Sequence, residues 1–255
     1  MDFRSMRVQI LLISVSSLCL WIYFSDGVCK FNPVSDYCCK SETPMMDPDS
    51  VKLFNSVLSQ NSRVYFEWGS GASTSFAAHR SRYAVSIESG APWYSSMLKK
   101  SSIQCLLKTY KLTYTCIGAG PTAVAALPHA RGVDNRFLDR DQIDSIFARQ
   151  PRIAASQIYA WQAYVSVIDL YNQSSIGVVL VDGRFRVACA LKALAHMVAS
   201  NGTLLLHDAR RPPYTDIFKY YDVIAEAGQL VALKPKPVLP HQYQAAWKKY
   251  VAHFA

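Results

Sequence analysis

Acidic residues are scarce in this chain of 255: 18 Asp and Glu stand against 27 Lys and Arg, a formal net charge of +9, and charged residues are only 18% of the sequence. So little charge beside 51% hydrophobic and 12% aromatic residues excludes a disordered or collagen-like chain. No repeat period runs through it, which excludes a solenoid. Seven cysteines are too few for a disulfide scaffold of this length and more than packing needs. The basic residues are scattered rather than gathered in a stripe, so the positive charge does not point to nucleic acid. What remains is one domain of ordinary size with enough apolar material for a sizeable core.

Charge is also missing locally. Val8 to Phe24 carries none, and Arg4 and Arg7 precede it. This predicts a secretory-pathway segment over 1–27, either a signal anchor, favoured by its length and by Trp21 and Tyr23, or a cleaved signal peptide. The body is then expected in the ER or Golgi lumen, as a type II single-pass membrane protein, or outside the cell if the segment is cleaved. In that compartment Cys29, Cys38, Cys39, Cys105, Cys116 and Cys189 would form disulfides whose pairing is open. The sequons at Asn172 and Asn201 agree with it. Residues 28–48, with three prolines, read as a stem. Residues 49–255 read as the domain, with a Gly-, Ala- and Pro-rich, then charged, insertion at about 118–155.

Within the domain, strand-like and helix-like runs alternate. A helix capped by Asp49 or Ser50 ends at Asn61-Ser62. Strands follow at Val64–Trp68, Tyr83–Glu88, Leu112–Ile117, Gly177–Asp182 and Thr203–Asp208. Helices are expected over Ser73–His79, Pro92–Lys100, Gln157–Tyr171, Phe185–Ser200 and Tyr214–Tyr221. A last pair of strands, Asp222–Ala225 and Leu230–Leu233, is joined by so short a connection that it must be antiparallel. The sum is an α/β fold: a doubly wound, mostly parallel seven-stranded sheet with a terminal antiparallel hairpin and helices on both faces.

The first strand runs into Glu67-Trp68-Gly69-Ser70-Gly71, where glycines allow a sharp turn and close approach to a ligand. The second ends in Glu88, 21 residues after Glu67, the place where a nucleotide site puts a carboxylate for ribose hydroxyls. The third glycine of a dinucleotide fingerprint is absent, Thr74 standing in its place. An adenosine-containing ligand follows, without an obvious pyrophosphate loop.

These residues, with Val178–Leu194 and Gly202–Asp208, resemble class I S-adenosylmethionine-dependent methyltransferases over about Val64–Leu233. The resemblance implies S-adenosylmethionine as cofactor, with Glu67 in its glycine motif, Gly69, Ser70 and Gly71 facing its methionine part, Glu88 its ribose, and Asp182 near the sulfonium and acceptor. Trp68 and the insertion depart from the family pattern.

Methyl transfer requires alignment and, for a hydroxyl acceptor, a base. Asp182 and His207, at the carboxyl ends of adjacent strands, are the candidates, and the alternative for His207 is an orienting or packed histidine. Asp182 and Asp208 could instead hold a divalent cation, which is not favoured because the further ligands such sites add are missing. Arg184, Arg186, Arg210 and Arg211 are expected around one mouth, Arg184 and Arg210 recognising an acceptor and Arg186 equally well a structural ion pair. Trp161 and Tyr164 read as core, and Cys189 as a packed or bridged residue. The reading is a methyltransferase acting on a hydroxyl or carboxyl group of a small molecule or glycan, anionic acceptors included. The alternatives are a scaffolding domain that has lost its cofactor, or a nucleotide-binding enzyme of another class on a similar sheet.

Overall fold

The computed structural model describes residues 40–61, 63–117, 162–237 and 242. The N-terminal segment at 1–27, most of the stem, the insertion at 118–155 and Trp161 lie outside them. Helix α1 is Pro48–Ser59. Strand β1 (Val64–Trp68), α2 (Ala72–Ala78), β2 (Tyr83–Glu88), α3 (Ala91–Met97), α4 (Ser101–Lys108) and β3 (Leu112–Cys116) follow. Residues 162–166 are helical and lead into a 3-10 turn, Val167–Leu170. Then come β4 (Ile176–Val181), α5 (Arg186–Ser200), β5 (Thr203–His207), a 3-10 segment Pro212–Lys219, β6 (Tyr221–Ala227) and β7 (Leu230–Pro235).

The seven strands form one sheet in the order β3-β2-β1-β4-β5-β7-β6. All pairs from β3 to β5 are parallel, and β7 runs antiparallel to both β5 and β6. The expected architecture is therefore present. Side chains alternate across it: Val178 and Leu180 of β4 join one core layer with α1, α2 and α4, while Val179 and Val181 join another with α5. Because both faces are covered, the central strand β4 is continuously apolar.

Several local expectations shift, each for a physical reason. Asp47, not Asp49 or Ser50, caps α1, since Pro48 suits the first helical position and needs no donor partner; its carboxylate accepts from the Asp49 and Ser50 amides. Ser50 Oγ, with one proton to donate, lies within hydrogen-bond distance of both Asp47 and the Ala227 carbonyl and accepts from the Gln229 amide, tying α1 to the terminal hairpin. The end of the stem is not detached: Glu42 accepts from Lys100 and Ser102. The helix expected over Pro92–Lys100 is α3, which ends at Met97, and a further helix, α4, follows at Ser101–Lys108 where none was expected. The last helix is a 3-10 segment. The hairpin closes in two residues, Gly228-Gln229, with Gly228 at φ +57°, the conformation that glycine tolerates at the first position of such a turn.

Two expectations tied to compartment are corrected. Among the described residues no helix is long and apolar enough to cross a membrane, and the longest, α5, has 15 residues where a span needs about 20. An anchored type II arrangement is not supported, and the charge-free run at 8–24 lies outside the described residues. Cys116 and Cys189 are free thiols, so the six cysteines do not all pair. Cys105 is disulfide-bonded.

Candidate active site

The order of strands places the crossover reversal at β1, between β2 and β4, and open α/β sheets build their sites at the carboxyl ends beside such a reversal. A cleft of about 240 Å³ lies there, bordered by Gly69, Ser70, Glu88, Asp182, Gly183, Arg184 and Arg186 among others.

Glu67 is not one of its walls. Fully buried, it accepts hydrogen bonds from the hydroxyls of Tyr65 (2.6 Å), Ser73 (3.0 Å) and Thr74. Burial pushes its carboxyl up to about 7 despite those donors. Its work is to pin the turn and the start of α2 from beneath.

The two glycines differ. Gly69 has φ +94°, and a Cβ there would stand 2.5 Å from the Gly183 amide nitrogen, so only glycine lets the ends of β1 and β4 meet. Gly71 has an extended backbone (φ −176°) and a Cβ would find ordinary contact at 3.7 Å with Ser73. Its amide bonds to Thr74 Oγ1. Gly183 was given no place in the cleft by the sequence; a Cβ on it would strike the Tyr164 hydroxyl at 2.3 Å. Its position after a strand, mirroring Gly69, was the available signal.

Glu88 borders the cleft, and both of its carboxylate oxygens are engaged. Oε2 accepts from the Ser70 amide (3.1 Å) and hydroxyl (2.8 Å), Oε1 from the Ser89 and Gly90 amides (2.8 and 2.7 Å). Ser70 Oγ also meets the Tyr114 hydroxyl at 2.7 Å, and the exposed Trp93 donates to the Ser70 carbonyl.

On the other side of the cleft, Asp182, His207 and Asp208 converge, with one donor atom from each lying within 4.8 Å of the others. His207 Nδ1 is 2.9 Å from Asp182 Oδ1, and that hydrogen bond raises the imidazole pKa. His207 Nε2 is buried without a partner among the described residues. Asp208 turns out of β5 with φ +54°, a conformation aspartate tolerates.

The four arginines do not share one mouth. Arg186 lies within the cluster, 3.2 Å from Asp182 and 3.3 Å from Asp208. Arg184 is exposed at the cleft. Arg211 pairs with Asp208 at 2.7 Å, and Arg210, 82% exposed, pairs with Glu226. Arg210 and Arg211 border a second cavity of about 370 Å³ between the β5 end and the hairpin. Tyr164 and Cys189 are core residues.

No known protein family's model and no curated protein matches this sequence. Among solved structures, the crystal structure of a methyltransferase-like protein from Silicibacter pomeroyi shares the architecture, with a TM-score of 0.51 and 18% identity over 84% of this chain and 99% of that one. At that identity the likeness is one of fold. The chain has a Rossmann-like, methyltransferase-type fold.

Proposed function

We propose that this chain is an S-adenosylmethionine-dependent methyltransferase acting on a hydroxyl or carboxyl oxygen of a small molecule or glycan. One observation carries the reading: Glu88 and the Gly69-Ser70 turn border the same cleft as Asp182, whose carboxylate holds His207. The cleft's residues fit that cofactor. Gly69 and Gly183 keep side chains away from the gap between β1 and β4, and Glu88 can accept from ribose hydroxyls once Ser70 Oγ turns aside. S-adenosylmethionine supplies an electrophilic methyl group on a sulfonium, so no covalent enzyme intermediate is needed.

The chain's own residues then align the acceptor and take its proton. With Nδ1–H donated to Asp182, His207 keeps Nε2 as the lone-pair nitrogen, a tautomer assigned from the hydrogen bonds. In this reading His207 is the base, its buried Nε2 being uncovered as the acceptor enters, and Asp182 is the residue that orients it. Arg184, exposed at the cleft, suits an anionic acceptor. Arg210 belongs to the second cavity and would meet only an acceptor that extends there.

A second reading, a cofactor-free scaffolding domain, draws on the full engagement of Glu88 by its own neighbours. Calorimetric titration of the purified chain with S-adenosylhomocysteine, S-adenosylmethionine, NAD and nucleotide sugars decides between them. Binding of the first two alone is expected. Binding of NAD or a nucleotide sugar instead would move the chain to another enzyme class, and no binding at all would favour the scaffold.

A further inference from the structure

Two carboxylates and an imidazole gathered within 4.8 Å are a donor set that a divalent ion would accept. In this chain something else stands among them. Arg186, in the first turn of α5, directs Nη2 at Asp182 Oδ1 (3.2 Å) and Nη1 at Asp208 Oδ2 (3.3 Å). Nη1 also donates to the His207 carbonyl, and Nε donates to the Gly183 carbonyl at 3.1 Å. All three guanidinium nitrogens are therefore used, on acceptors from the ends of β4 and β5, and the side chain is 10% exposed. A lysine ammonium, a point charge with three donors, could not span that set; the planar fork can.

Charge balance points the same way. Asp182 and Asp208 are matched by Arg186 on one side and by Arg211, 2.7 Å from Asp208, on the other. An added dication would leave the cluster with excess positive charge at short range.

We propose that Arg186 is a built-in cation: its guanidinium holds, among Asp182, His207 and Asp208, the place a divalent ion would take, so the site works without metal. Arg186 is thereby a positioning residue, fixing the carboxylate that orients His207. The inference rests on the methyltransferase reading only for what the site is used for. The place of the cation stands on the geometry.

The test is titration of the full chain with Co²⁺, whose visible absorption reports nitrogen and oxygen ligands. The unmodified protein should take up none at the cluster. Arg186→Gln, which keeps hydrogen-bonding groups and removes the charge, and Arg186→Ala should gain Co²⁺ affinity by about a hundredfold or more, the effect of removing a fixed positive charge beside the incoming ion. Adding Asp182→Asn or His207→Ala to Arg186→Gln should abolish the gain, whereas an ordinary structural ion pair would leave no such site behind.

A folded Arg186→Gln protein that gains no Co²⁺ overturns the proposal. So does an unmodified protein that binds Co²⁺ and loses it in Asp182→Asn, an outcome that can overturn the proposal even if neither Arg186 variant folds. S-adenosylhomocysteine titrated alongside separates the two ideas. Co²⁺ gain without cofactor binding sinks the methyltransferase reading alone; cofactor binding without Co²⁺ gain sinks the built-in cation alone.

Discussion

The two sides of the cleft hold their carboxylates by different means. On the β1–β2 side, Glu67 and Glu88 are held by hydroxyls and backbone amides, with no cation in contact among the described residues. On the β4–β5 side, Asp182 and Asp208 are held by guanidinium and imidazole. Neutral donors fix the direction of a carboxyl group without supplying a counter-charge, which suits a frame or an acceptor for sugar hydroxyls. Charged partners balance the carboxylate charge, and Asp182 in turn raises the proton affinity of His207, which suits a reaction centre. The same functional group thus serves as scaffold on one side and, under the proposed function, as chemistry on the other.

The sharpest way to break this comparison is on the charged side. In the methyl-transfer assay, His207→Ala should lower turnover about 10²–10⁴-fold while leaving S-adenosylhomocysteine affinity nearly intact. Full activity would strip the charged side of its catalytic role.

Gly69→Ala comes next. It forces a side chain into a left-handed backbone against the Gly183 amide and should cost about 3 kcal/mol or more in urea unfolding.

The neutral side also makes a pH prediction. Glu67, raised from its ordinary 4.5 to about 7 by burial, keeps a proton that the unfolded chain releases. Its contribution to stability is full below about 4.5 and is lost as pH rises toward 7, by on the order of 3 kcal/mol. Glu67→Gln should flatten that slope in urea melts across the range. His207, whose pKa is also raised, works in the same sense and should leave a residual slope; an unchanged slope would remove Glu67 as its source.

Glu88→Ala should weaken S-adenosylhomocysteine binding by roughly 1–3 kcal/mol, and calorimetry showing equal affinity would reduce Glu88 to a loop clasp like Glu67. Smallest of all, Gly71→Ala should change stability by no more than about 0.5 kcal/mol. If it matched Gly69→Ala, the distinction between the two glycines would fail.

Much of this was legible in the sequence because it depends on local pattern. Period-two and apolar runs marked the seven strands, and the short link before Leu230 required an antiparallel pair. Strand ends carrying Glu88, Asp182 and His207 announced where a site would lie. Boundaries that depend on a single acceptor, such as the Asp47 cap, were missed by two or three residues.

Sequence alone determined the fold class and the residue types at the carboxyl edge, since these follow from periodicity and chain connectivity. Tertiary structure decided which neighbour each charged side chain meets. Glu67 and Glu88 looked alike as acidic residues near strand ends, but one points into the layer under α2 and the other borders the cleft. Four arginines looked like one cluster, yet the bend after β5 sends Arg210 to Glu226 while α5 carries Arg186 back between two aspartates. Such pairings join residues on different elements across a few ångströms, and charge interactions at that range depend on distances that no spacing along the chain encodes.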